Sequence, residues 1–288
     1  MEFDIYRMFF VFISGYFLSV SGSLSQLITN NTMASPSTLG MDGVAVLTII
    51  MAQAFITWIY PEADLSGFSF GLFLFLLMTI GVFIYFRNTS SEKVWHVTSV
   101  KKIILLGLSF NLFIGAIFSV LMFLFMALNY EFPSGIWFGS FKQFQPEWLW
   151  IFLAIFGFIV MYIKLQGKKL ALLNLGESFV IGMNVDVKRL HQQSLFIIFL
   201  LTGGVICFFG VFSFLGLIFP HILRSLSLFK TDMYKELTLG PILAGAILLV
   251  IDLFCYNLTF MGAELPVGMV SGVIGSFFLI FLIIRAKV

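Results

Sequence analysis

Charged side chains are scarce in this chain. Asp, Glu, Lys and Arg make up 10% of its 288 residues, against about 25% in a soluble domain, which excludes the ordinary globular class. Cysteine is nearly absent: Cys207 and Cys255 each lie in an apolar run, and two separated cysteines form no metal or redox motif. Three histidines, His96, His191 and His221, are too scattered for metal-ligand spacing, so no metal site and no cofactor is expected. No G-x-x-x-x-G-K-[ST] phosphate loop occurs, so this chain binds no ATP through that motif. No pair of acids or histidines stands at helical spacing within one apolar run, which argues against an intramembrane enzyme. No nucleic-acid partner is expected either.

What is present in abundance is apolar sequence. Hydrophobic residues make up 60% of the chain and mean hydropathy is +1.07. Runs of 17 or more recur from end to end, long enough to cross a bilayer as helix. The expected fold is therefore all-α, a polytopic transmembrane helical bundle. The 38 phenylalanines are read as codon bias and carry no functional weight. The first run is not a signal peptide, because MEFDIYR holds two acids and one base where a signal peptide has a positive n-region. Nine spans are expected, at 7–28, 39–60, 67–86, 103–128, 147–166, 192–210, 212–228, 238–258 and 266–285.

Charge tests that alternation. With the N-terminus outside, Arg87, Lys93, Lys101, Lys102, Lys164, Lys168, Lys169, Lys188, Arg189, Arg224, Lys230, Lys235, Arg285 and Lys287 fall inside. Only Arg7 and Lys142 of the 16 basic residues fall outside. The positive-inside rule calls for that asymmetry, and an even number of spans would destroy it. The C-terminus is then cytoplasmic. A faint internal repetition joins ASPSTLGMDGVA (34–45) and AELPVGMVSGVI (263–274), of the inverted kind found in transporters.

Four stretches carry chemistry. In GSLSQLITNNTMASPSTLGMDGVA (22–45), Gln26, Asn30 and Asn31 stand at a membrane mouth; such amides either line a pore or satisfy helix ends. LALLNLGESFVIGMNV (170–185) puts Leu170, Leu172, Leu173, Leu175, Phe179, Val180 and Ile181 between basic flanks. A solvated loop has no use for them, so they form a docking surface or a membrane-surface helix. GLIFPHILRSL (216–226) places Pro220, His221 and Arg224 together. Arg224 can snorkel at the inner end, Pro220 is tolerated where neighbours satisfy the freed carbonyl, and His221 is expected to support packing rather than bind metal. AELPVGMVSGVIGSFFLIFLI (263–283) contains GMVSG, a spacing that lets helices approach closely. Asp252 is an intramembrane acid, a functional candidate by default, read here as an anchor toward a polar neighbour.

These four stretches, in this order over nearly the whole chain, resemble the FecCD/BtuC-type permeases, membrane subunits of type II ABC importers for iron-siderophores, haem and vitamin B12. The resemblance implies a single permease domain over 1–288 with a coupling-helix loop at 167–191, where Gly176, Glu177, Phe179 and Gly182 would contact the ATPase. It makes Gln26 and Asn31 gate residues, joined by the polar pair Ser109 and Asn111 in GLSFNLFIG. Pro220, His221 and Arg224 are a family signature. Arg7, Glu131, Lys142 and Glu147 become candidates for docking a substrate-binding protein on the outer face. Departures are visible: Asn30 replaces the usual Arg, Thr32 the usual Pro and Asp42 a small polar residue. The chain also begins where the family's second span begins, so it lacks the usual first span, either naturally or through a misplaced gene start.

The resemblance implies a bacterial inner-membrane permease that imports an iron chelate, a siderophore first among them, by alternating access. Its implied partners are a second permease subunit, two ATP-binding subunits and a substrate-binding protein. Haem or cobalamin is the alternative cargo. An ion-gradient-driven secondary transporter, with Asp42 and Asp252 as ion sites, is the alternative mechanism.

Overall fold

The computed structural model describes residues 4–59, 97–127, 138–142, 144–226, 229, 232–260 and 263–285. They form ten helices in chain order: α1 (Ile5–Thr29), α2 (Met41–Ile59), α3 (Val97–Ala127), α4 (Leu149–Leu173), α5 (Glu177–Gly182), α6 (Val187–Phe209), α7 (Leu215–Ser225), α8 (Met233–Thr238), α9 (Gly240–Asn257) and α10 (Val267–Arg285). A two-residue ribbon, β1 (Thr259–Phe260) with β2 (Ala263–Glu264), turns α9 into α10. Each expected span within the described residues contains a helix, the seventh only in part; the span at 67–86 lies outside them.

Among the described residues, four segments are long and apolar enough to cross a membrane: Ile5–Thr29, Pro146–Leu173, Val187–Phe209 and Gly240–Asn257. Their burial separates centre from periphery. The apolar windows of α1 and α6 are 83% and 89% buried, against 22% for the α4 segment. Of these two, the first helix packs against α6, α7 and α9 and is the axis of the bundle, and its sequence shows why. Ser14, Gly15, Ser19, Ser21, Gly22, Ser23 and Ser25 leave little side chain between backbones, the packing mode of membrane helices. A Cβ on Gly22 would lie 1.8 Å from the carbonyl oxygen of Gly216 in α7. That oxygen is the one Pro220 cannot partner, since proline has no N–H four residues on. The proline and the glycine pair are parts of one crossing.

The seventh expected span is corrected. Helix covers only 11 residues of it, about 16 Å at 1.5 Å per residue, roughly half of a ~30 Å hydrocarbon core. The preceding stretch is irregular but packed: Val211 and Phe212 are buried, Gly139 N donates to Val211 O and Ser140 N to Phe209 O. Non-helical backbone at membrane depth persists where protein surrounds it. The GMVSG expectation is corrected as well. Gly268 packs on loop backbone, where an added Cβ would lie 2.5 Å from Gly139 N, whereas one on Gly272 would meet only Ser213 at 4.0 Å.

An aromatic core holds the α1 start to its neighbours. Phe10 sits edge-on to Phe152 at 5.2 Å, and Phe141 contacts Phe209 and Phe212 at 4.8 and 4.9 Å.

Candidate functional site

The two ends of α1 hold the charged groups. At its start, the Arg7 guanidinium donates from Nε and Nη2 to the two Asp252 oxygens, both at 2.9 Å, and from Nη1 to Glu264 at 3.1 Å. It also lies 4.9 Å over the Tyr256 ring. Arg7 is 6% exposed and Asp252 fully buried. The Arg7 charge is engaged inside, binding α1 to α9 and the ribbon, rather than presented on the outer surface. Asp252 has the polar neighbour expected of an anchor. Of the other docking candidates, Lys142 and Glu147 are exposed near this end, and Glu131 lies outside the described residues.

At the far end of α1, Arg224 donates from Nε and Nη2 to Glu236, both at 2.9 Å, and the Ser23 hydroxyl donates to the same carboxylate at 2.8 Å. Glu236 is 2% exposed, so three elements, α1, α7 and α8, share one buried carboxylate. Arg224 is therefore paired, not merely snorkelling. Beside the pair lies a cavity of about 220 Å³ reached by Gln26, Asn31 and Arg224 together with Asn30, Asn174 and Glu236. Gln26 is 4% exposed, and neither of its amide atoms has a hydrogen-bond partner. Asp232, which also lines the cavity, caps α8; the backbone N–H of Lys235 holds that carboxyl below the usual range.

The polar pair of α3 goes elsewhere. The Asn111 carboxamide accepts from Gly43 N at 2.7 Å and donates to Ser37 O. Both functions serve the start of α2, so Asn111 clamps that helix end in place. Ser109 lies exposed between Leu108 and Leu112, on a largely apolar face. Pro220 is buried, and His221 Nδ1 lies 2.9 Å from Leu217 O, its ring edge-on to Phe278 at 5.7 Å. A carbonyl only accepts, so Nδ1 carries the proton.

Between α4 and α6 the chain makes a short ledge. Gly176 has φ of 108°, a region L side chains rarely adopt, and α5 follows for six residues. Val180 is buried beneath it with Leu170 and Leu173. Leu175, Phe179, Ile181 and Met183 are 66, 53, 62 and 52% exposed. Glu177 opens the helix and Gly182 closes it. The ledge starts two residues beyond Asn174 in the cavity wall.

Sequence reading missed Glu236, Ser23 and Glu264 as partners. The available signal for Glu236 was its place as an acid in KTDMYKELT, soon after the HILR motif.

A model of the FecCD transport family matches residues 1–285. The vitamin B12 import system permease protein BtuC of Photorhabdus laumondii is 27% identical over 282 residues, covering 98% of this chain and 80% of the relative. The Fe(3+) dicitrate transport system permease protein FecC of Escherichia coli is 28% identical, covering 94% and 78%. The petrobactin import system permease protein YclN of Bacillus subtilis is 28% identical, covering 98% and 84%. A solved metal-chelate type ABC transporter in an inward-facing conformation has a TM-score of 0.77 at 20% identity, covering 98% of this chain and 87% of its own. With its motifs, helices and full-length match in agreement, the chain belongs to the FecCD transport family and is a permease of the ABC importer type.

Proposed function

We propose that this permease imports an iron chelate of the siderophore class, powered by ATP bound to a separate subunit. One observation carries the mechanism: the exposed apolar stripe of Leu175, Phe179, Ile181 and Met183 on a short ledge between two long apolar helices. Large apolar side chains left in the open mark an interaction surface, and a family of ABC importer permeases supplies an ATP-binding partner to cover it. The basic residues around it put this end in the cytoplasm, with the N-terminus outside. A second permease subunit packs against this one to enclose the path, and the exposed Ser109 face of α3 is offered to that contact. Lys142 and Glu147 remain the outer contacts for a substrate-binding protein.

Iron as cargo rests on the relatives named for ferric dicitrate and petrobactin import. Cobalamin is the second reading, favoured by the relatives named for vitamin B12 import. Uptake of radioiron-loaded siderophores and of labelled cobalamin, in cells carrying the transporter and in a deletion strain, separates them. Iron uptake that cobalamin does not compete away is expected. Cobalamin uptake without iron uptake overturns the first reading in favour of the second.

A further inference from the structure

The cavity at the end of α1 has a feature that helix packing does not need. Gln26 is 4% exposed, lines the cavity, and leaves both its carbonyl oxygen and its amide nitrogen without a partner. Buried polar groups are as a rule hydrogen-bonded, so a carboxamide unpartnered at both ends in a cavity wall points to a ligand. The wall also says what kind of occupant fits. Arg224 is matched by Glu236, and the other lining acid, Asp232, by Lys235 at 3.3 Å, which disfavours both a free anion and a free cation. The exposed rim includes the neutral amides of Asn30, Asn31 and Asn174. A carboxamide presents a donor and an acceptor side by side. Its complement presents an acceptor and a donor side by side, as the main chain of a peptide does.

We propose that this cavity receives a main-chain segment of the ATP-binding partner, held by Gln26 at the floor and the three asparagines at the rim. The inference rests on the reading of α5 as the partner's docking ledge. Asn174 joins the two, standing in the cavity wall and two residues before that ledge begins. Docking on Phe179 and its neighbours brings a partner's surface to the mouth, and the inserted segment satisfies the open carboxamide. The contact gives the partner a hold on α1, the buried axis of the bundle, in addition to its hold on the peripheral ledge.

The test uses the assembled transporter in nanodiscs. Affinity of the ATP-binding subunit is measured for wild type, Gln26→Leu and Phe179→Ser. A second readout is the labelling rate of Gln26→Cys by a small methanethiosulfonate, with and without the partner. Insertion predicts at least tenfold weaker partner binding for Gln26→Leu and at least tenfold slower labelling of Gln26→Cys when the partner is present. Unchanged affinity for Gln26→Leu, or labelling that the partner does not slow, overturns the insertion. If Phe179→Ser weakens binding while those results stand against Gln26, the docking ledge survives alone. If neither substitution weakens binding, the ledge falls too. Should Gln26→Leu fail to fold, the labelling rate decides by itself.

Discussion

Two arginines grip carboxylates at opposite ends of α1, and each pair is a separate stability test. Removing one partner of a buried pair leaves an uncompensated charge and costs about 3–5 kcal/mol. Arg7→Met is expected to lower the thermal unfolding midpoint sharply in detergent, because Asp252 is fully buried. Arg7→Met combined with Asp252→Leu should be less damaging than Arg7→Met alone, since the buried charge goes with its partner. A double variant no more stable than the single would contradict the clamp. Gly22 makes a second test. Its Cβ would sit 1.8 Å from the Gly216 carbonyl oxygen, so Gly22→Ala cannot be accommodated without moving a helix. A loss of about 1–3 kcal/mol or more is expected, read as the same midpoint shift. These partners were not legible in the sequence. Arg7 and Asp252 stand 245 residues apart, and nothing local in DIYR or LLVIDLF reports on the other. What was legible was the rule that an intramembrane acid finds company, which foresaw an anchor without naming Arg7.

At the scale of the element, the ledge was easier to read than the broken span. Leucines and a phenylalanine between basic flanks signalled a surface, and Phe179 and Ile181 are exposed as that pattern implied. The same pattern did not show that Leu170, Leu173 and Val180 turn inward, because the stretch is split between the last turn of α4 and a six-residue α5, and no single helical period runs through it. The seventh span misled for a different reason. Continuous apolar sequence looks the same in a full helix as in a half helix joined to packed irregular chain. Phe179→Ser with Ile181→Ser should shift the unfolding midpoint little, as exposed substitutions usually cost within about 0.5 kcal/mol, yet should release the ATP-binding subunit in a pull-down. Retention of that subunit would contradict the ledge's role. The α8 cap gives a pH prediction. A carboxyl depressed by its bond to the Lys235 N–H supports the helix above its unfolded pKa and loses that support as pH falls through the lowered folded value. Amide protection factors in Met233–Thr238, the exchange rates corrected for intrinsic pH dependence, should therefore fall only in acid below the ordinary carboxylate range. A fall between neutral pH and that range would point to another group.

At the scale of the whole molecule, a buried α1 is surrounded by helices whose outer faces carry large apolar side chains such as Trp150, Phe123 and Phe277. Composition and run length made the membrane class and most helix positions legible. They could not say which helix is central, because α1 has the lowest mean hydropathy of the four long segments yet is one of the two most buried. Small residues, not greasy ones, mark the axis. The end of this axis shares a cavity wall with Asn174, just before the ledge. The most direct measurement is uptake of iron-loaded siderophore into proteoliposomes holding the complete transporter, with the phosphate-loop lysine of the ATP-binding subunit intact or replaced. The account predicts ATP-dependent uptake with the intact subunit and none above background with the replaced one. Uptake that persists without ATP hydrolysis would contradict it.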